Sequence, residues 1–237
     1  MKIISWNCQG AFRKKAEFIL IHQPDILIVP ECEHPDKLKF KSGIPLPLDN
    51  VWVGNNPNKG LGVFSYSDFK FKLLDLHNPD FKNILPISVT GGQVDFTLFA
   101  VWANNPKDPD GTYITQVWKA LNHYDDLLKR QPIILMGDFN SNTIWDKPYR
   151  EGNHSTVVEL LEKKEIFSIY HLHYKLKQGK EEHPTFFLQR NKSKPYHIDY
   201  CFASLDLIDK IENVEIGDYD NWIPHSDHTP LTMRFKI

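Results

Sequence analysis

Short apolar runs punctuate this chain from end to end, and their internal rhythm separates two kinds of element. The runs "KIISW", "DILIVP", "GVFSY", "KFKLLDL", "ILPISV", "DFTLFAVWA", "PIILMGD", "HIDYCFA", "VEIGD" and "LTMRFKI" are rich in β-branched and aromatic residues and close at turn signals, which predicts strands. "DILIV" and "PIILM" are continuously apolar, as central strands covered on both faces require. "FKFKLLDL" alternates, so one of its faces meets solvent. Helical spacing appears in three places: Phe12, Ala16, Ile19 and Leu20; then Tyr113, Val117, Leu121, Tyr124 and Leu128; then Val157, Leu160 and Leu161 behind a Ser155 N-cap, to about Lys164. Many strands and few helices predict two sheets packed face to face with helices outside. No repeat, low-complexity tract or Pro/Gly/Ser-rich linker divides the chain, so residues 1–237 read as a single domain.

Composition changes this picture little. Of 237 residues, 41% are hydrophobic and 24% charged, values ordinary for a globular chain long enough to bury a large core. The net charge of -2 offers no global basic field for a polyanion, so any such contact rests on local patches. "MKIISWNCQG" lacks the apolar core and small-residue site of a secretory leader, and no run of apolar residues is long enough to span a bilayer. The three cysteines, Cys8, Cys32 and Cys201, fall in or beside apolar runs and make neither a disulfide framework nor a zinc pattern. A reducing cytoplasm and a monomeric protein without membrane insertion are the expectations.

The candidate chemistry lies where the strands end. "ISWNCQG" closes on Asn7, "DILIVPECE" on Glu31 and "PIILMGDFN" on Asp138 and Asn140. "HIDYCF" carries Asp199 inside an apolar-aromatic strand, and "PHSDHTPL" brings Asp227 and His228 just before the last one. Each has a bland reading: Asp138 and Asn140 as turn caps, Glu31 as the start of a helical turn, His228 as structural. Asp199 resists one, because an unpaired buried carboxylate is costly. The set points to metal-assisted phosphoester hydrolysis. Mg²⁺, with Mn²⁺ an admissible substitute, needs hard oxygen donors, and Glu31 fits as the direct ligand with Asn7 beside it. Asp138 and Asn140 fit the presentation of water to phosphorus, and His228 supplies a donor to a phosphate oxygen. Asp199, on reaching His228, would orient the ring and favour its charged form.

The order of "WN", a glutamate closing the second strand, "GDFN", "IDY" and a terminal "SDH" resembles the endonuclease/exonuclease/phosphatase superfamily over residues 5 to 231. That group includes deoxyribonuclease I, exonuclease III-type repair enzymes, sphingomyelinases and inositol polyphosphate 5-phosphatases. The resemblance implies a four-layer αββα sandwich and Mg²⁺-dependent phosphoester cleavage. It places Asn7, Glu31 and Asp227 at metal-binding positions, and Asp138 and Asn140 at water-activating and phosphate-orienting ones. His228 closes the final acid–histidine pair, with Asp199 as its partner. Three positions depart from the family pattern. Trp102 stands at the end of "FAVWA" where His or Tyr is usual, and offers only an indole N–H unless Asn104 and Asn105 take over. His197 stands where repair nucleases often carry arginine, and "VPECE" replaces the commoner glutamine-glutamate ending.

The substrate is less legible, since one fold of this kind serves many phosphoesters. Residues 175–194, "KLKQGKEEHPTFFLQRNKSK", hold six Lys or Arg against two Glu and interleave aromatics, a pattern suited to a nucleic-acid backbone at Lys192 and Lys194. Arg13, Lys14, Lys15, Lys37, Lys39 and Lys41 add bases directly after the metal-ligand strands. The bland reading makes them a solvated rim, with Phe186 and Phe187 as core. The expectation is a Mg²⁺-dependent phosphodiesterase acting on DNA or RNA. A phosphomonoesterase or a phospholipid or small-molecule phosphodiesterase is the alternative, and an inactive binding module the remote one.

Overall fold

The two continuously apolar runs become strands whose alternate side chains enter different cores. In the computed structural model, which describes residues 1–81, 83–104, 113–130 and 132–237, they lie near the middle of two six-stranded sheets. The first sheet runs β13 (Ile211–Ile216), β14 (Leu231–Phe235), β1 (Lys2–Ser5), β2 (Ile26–Cys32), β4 (Lys59–Ser65), β3 (Asp49–Asn56). The second runs β5 (Lys70–Leu73), β6 (Ile84–Thr90), β7 (Phe96–Trp102), β8 (Ile133–Asp138), β12 (Asp199–Ser204), β9 (Ile166–Ser168). A separate ribbon pairs β10 (Phe186–Phe187) with β11 (Pro195–Tyr196).

Between the sheets lie Ile3, Ile26, Ile28, Leu98, Ala100, Ile134 and Met136. Their sequence neighbours point the other way. Ile4, Leu27 and Val29 pack with Phe12, Ala16 and Ile19 under α1 (Ala16–Leu20). Phe99, Val101, Ile133 and Leu135 pack under α2 (Tyr113–His123) and α3 (His154–Glu162). This is the period of two in a strand buried on both faces, and it builds the predicted four-layer αββα sandwich. β5 alternates between exposed and half-buried positions, as its sequence predicts. Three further short helices, α4 (Ile169–Tyr174), α5 (Leu205–Ile208) and α6 (Tyr219–Trp222), complete the described elements.

Two helix expectations change. The stripe from Tyr113 leaves the α-helix at His123 and reaches Leu128 through a 3₁₀ turn at Leu127–Lys129. Helix α3 starts at His154, and Ser155 is not its cap. Asp146, from a preceding turn, accepts the backbone N–H groups of His154 and Ser155 at 2.8 and 2.9 Å, so the cap arrives from outside the helix. Among the described residues no helix is long and apolar enough to cross a membrane.

Candidate active site

The central strands of both sheets deliver their ends to one place. β7 and β8 run parallel, pairing Trp102 with Asp138, while β12 runs antiparallel to β8 and sets Asp199 opposite Asp138. Gly137 makes this possible. Its φ is +149°, and a Cβ there would sit 1.9 Å from the Val101 carbonyl oxygen, so only glycine lets β8 approach β7 so closely. In the first sheet β1 and β2 run parallel and end at Asn7 and Glu31. A bulge between Pro30 and Cys32 puts Glu31 at φ +62°, which turns its carboxylate out of the strand; the helical-turn reading fails. The segment before β14 is sewn to β1: Trp6 Nε1 donates to His228 O at 3.1 Å and Ser226 Oγ to Asn7 O at 2.7 Å.

A continuous polar path crosses between the sheets. His228 Nδ1 meets Asp199 Oδ2 at 2.9 Å, and His228 Nε2 lies 4.0 Å from Asp138 Oδ2. Asp138 Oδ2 accepts from Asn7 Nδ2 and Asn140 Nδ2, both at 3.0 Å, while Oδ1 takes the Asn140 backbone N–H at 2.9 Å. Asn7 Nδ2 also reaches Glu31 Oε1 at 3.5 Å. Asp138, Asp199 and His228 are buried, and each can place a ligand atom within 4.8 Å of the others. Their side chains are already engaged within the protein: His228 is committed to Asp199, and Asp138 to two asparagines.

Electrostatics follow from this packing. Burial, then the Asp199 charge, push the Asp138 carboxyl above the usual carboxylate range; His228, Asn7 and Asn140 pull the other way. Burial opposes a charge on His228, yet the Asp199 and Asp138 carboxylates overcome it and raise its proton affinity. The Nδ1 bond to Asp199 leaves Nε2 to face Asp138.

The outer half of the site is more open. Glu31 is half-buried, with Lys59 Nζ at 3.0 Å from Oε2 and the same ammonium 5.5 Å from the centre of the Trp102 ring. Asp227 accepts from Gln9 Nε2 at 3.0 Å, and the Gln9 N–H is taken by Asn7 Oδ1. Asn7 therefore shows its amide nitrogen, and not its oxygen, to Glu31. Trp102 is buried at the end of β7, and Asn140 Nδ2 donates to the next residue's carbonyl, Ala103 O, at 3.0 Å. Asn104 is half-buried and its carbonyl accepts from Asn83. Asn105 lies outside the described residues. Lys192 turns away to Asp220 at 3.3 Å and lies 4.9 Å from the Tyr219 ring centre; Lys194 is exposed. Of the other bases, Arg13 pairs with buried Glu33, Lys41 with Glu17, and Lys37 bonds Asn58.

Sequence reasoning passed over Gln9, Lys59 and Thr185. Gln9 had no local signal, because it sits at φ +53°, outside the extended strand, and is aimed by its contact with Asp227. Lys59 and Thr185 had none either. Thr185 Oγ1 accepts the N–H groups of Ile198 and Asp199, both at 3.0 Å, and so fixes the start of β12.

The four layers are the fold that the motif order implies, and solved structures of nucleases and a phosphatase share it. The sequence itself matches no protein-family model and no curated protein. Among solved structures, the Neisseria 3′ phosphatase NExo bound to a product DNA hairpin is similar at a TM-score of 0.69, with 20% identity over 100% of both chains. An AP endonuclease from Archaeoglobus fulgidus gives 0.65, with 17% identity over 100% of both. The endonuclease domain of TRAS1, a telomere-specific non-LTR retrotransposon, gives 0.67 and 16%, covering 99% of this chain and 97% of that one.

Proposed function

We propose that this chain is one catalytic domain that hydrolyses phosphodiester bonds in DNA with the help of a divalent cation. The observation that carries the reading is the polar path Asp199–His228–Asp138–Asn7–Glu31, assembled from five separate segments. The structural neighbours, a 3′ phosphatase with product DNA, an AP endonuclease and a retrotransposon endonuclease, support DNA as the substrate.

The donor set suits a hard cation. Glu31 and Asp227 bring carboxylate oxygens to the open side, and the thiols nearby are turned inward, Cys8 Sγ to Pro30 O and Cys32 Sγ to Glu33 O. Glu31 and Asp227 would hold Mg²⁺ or Mn²⁺, with Asn7 bracing Glu31 against Asp138. Bound there, the ion would neutralise charge on the phosphoryl group. Lys59 now provides the positive charge that Glu31 requires.

Asp138 is the base. Its raised proton affinity fits it to take a proton from water as the water oxygen bonds to phosphorus and the ester oxygen leaves with its electron pair. Asn140 fixes the Asp138 carboxylate with one amide N–H and its backbone N–H, the other amide N–H going to Ala103 O. Protonated His228 donates to a non-bridging oxygen, and Asp199 holds its ring. Trp102, paired with Asp138 across β7 and β8, and Asn104 just beyond it line a cavity at the end of β7.

The test is an activity panel with Mg²⁺, Mn²⁺ or EDTA. Its substrates are single- and double-stranded DNA, a 3′-phosphorylated oligonucleotide, RNA, bis-p-nitrophenyl phosphate, inositol phosphates and sphingomyelin. DNA cleavage abolished by EDTA is expected. Activity that survives exhaustive chelation, or turnover confined to inositol phosphates or sphingomyelin, overturns the reading.

A further inference from the structure

Two cations and a histidine converge beside the candidate centre, and none of them is in contact with an acid. Lys15 Nζ donates to Cys8 O at 2.5 Å. Arg190 donates to Gln9 Oε1 at 2.5 Å and to Pro224 O at 3.3 Å. His225 follows Pro224 and stacks on Phe18, ring centres 3.7 Å apart and 23° from parallel. All three lean on neutral oxygens or rings belonging to the segments that carry Asn7 and Asp227. Among the described residues, carboxylates pair with Arg13, Lys41, Lys59 and Lys192, and with none of these three.

The backbone holds Arg190 in place at a cost. Gln189 and Arg190 are consecutive non-glycine residues, each at φ +56°, a left-handed conformation that is unfavourable for residues with a Cβ. The ribbon that bears them is pinned from both sides. Tyr219 Oη donates to Arg190 O at 2.7 Å, and Phe187 N–H to Asp227 O at 2.8 Å. The strain thus keeps a guanidinium over Gln9, one hydrogen bond from Asp227, where a free loop would release it to solvent. Lys192, two residues on, is tied to the opposite side by Asp220.

We propose that Lys15, Arg190 and His225 form a second phosphate subsite, which takes a phosphate flanking the scissile one on the same strand. Two cations with no acid in direct contact gain from an anion, a guanidinium forks onto phosphate oxygens with two N–H groups, and the imidazole beside them can add a further donor. The proposal rests on the hydrolytic reading of Asp138 and His228 for its register, though not for its binding.

The experiment is a binding cycle in the Asp138→Asn protein, which holds DNA without turnover. Labelled oligonucleotides carry one neutral methylphosphonate at successive positions, or a phosphate added at either end, and binding is followed by fluorescence anisotropy. One neutral linkage, or the lack of one end phosphate, should weaken binding by about tenfold. Arg190→Gln and Lys15→Gln should each do the same and flatten the salt dependence by about one unit of slope. Combined with the critical neutral linkage, neither variant should lose more than it loses alone. Arg190→Lys, which keeps the charge and loses the fork, should fall between. An end phosphate as the shared position makes the occupant a strand terminus, and an internal one makes it the continuing backbone; both support the subsite. Losses that multiply at every position, or variants that bind like the parent, overturn it. Wild-type protein that fails to cleave DNA while the cycle still shows a shared loss would sink the hydrolytic reading alone.

Discussion

Asp138, Asp199 and His228 are at most 4% exposed, and their mutual contacts fix each ring and carboxylate in one arrangement. Glu31, Gln9, Asp227 and Arg190 stand at the rim, held by an exposed lysine, an amide and a strained loop. The inner group has its charge states set by burial and by one another, so its members cannot be exchanged without stranding a neighbour. The outer group meets solvent and accepts a change of cation or ligand. The proposed function divides along the same line: the inner half would handle protons, and the outer half would bind charge. Asp138→Asn and His228→Ala should therefore lower kcat by roughly 10²-fold or more with DNA affinity kept. Loss appearing mainly in KM would erase the division.

The inner half is backed by a buried histidine network, which predicts an acid-sensitive stability. His197 Nδ1 donates to His183 O at 2.7 Å, and its Nε2 has no partner among the described residues. Burial first lowers His197 and His154, each to about 4. The unfolded chain, with histidines near 6.5, takes up protons that the folded chain refuses. Stability should fall as pH drops from about 6.5 to about 4, by up to roughly 3 kcal/mol per histidine, and then level for these groups. His197→Gln keeps a donor for His183 O and removes one titration. Denaturant unfolding against pH should show a shallower slope in this variant, and parallel curves would reject the assignment.

At the rim the expected effects are smaller and can be offset by concentration. Glu31→Gln should weaken apparent Mg²⁺ affinity by about tenfold or more, since a carboxylate becomes an amide at a hard-cation site, and excess Mg²⁺ should restore part of the activity. Lys59→Met removes the ammonium that Glu31 now holds and should improve Mg²⁺ affinity a few-fold. Matched Mg²⁺ titrations of both variants check this. Identical shifts in the two would mean that Lys59 is a ligand-side support and not a competitor.

The inner half was far more legible in the sequence than the rim. Asp138 and Asp199 interrupt apolar runs, and a carboxylate at such a place needs a partner. The period of two in "DILIV" and "PIILM" likewise assigns each side chain to one of two cores. What escaped depends on pairings remote in sequence: Gln9 with Asp227, Arg190 with Gln9, Lys59 with Glu31. No local pattern encodes them. β3 was missed because "DNVWVGNN" is half-exposed and asparagine-rich, and β10 and β11 because two residues are too short for any period. The basic count of residues 175–194 merged two roles. Glu181, in that run, belongs to the buried network through His171 at 3.0 Å and Asn142 at 3.1 Å, while Lys192 faces Asp220.

The smallest effect is expected at Cys8, where proximity would suggest a large one. Cys8 follows Asn7, lies 3.8 Å from the Glu31 carbonyl oxygen through its sulfur, and is fully buried. Reactivity needs thiolate. Burial pushes this thiol up to about 12 against the opposing pull of Lys15, so at neutral pH it is a protonated, space-filling group. Its contacts to Pro30 O and Glu31 O are long and weak, at 3.6 and 3.8 Å. Cys8→Ala should cost about 1 kcal/mol of stability through the small void it leaves, and change kcat by less than about twofold. Thiol-labelling of the folded protein should be slow at Cys8, Cys32 and Cys201 alike, all three being free and buried. A folded Cys8→Ala protein with lost turnover and rapid wild-type labelling would move Cys8 into the reactive half and redraw its boundary. A loss confined to Mg²⁺ affinity would instead show that the sulfur steadies the Glu31 bulge, extending the rim by one residue.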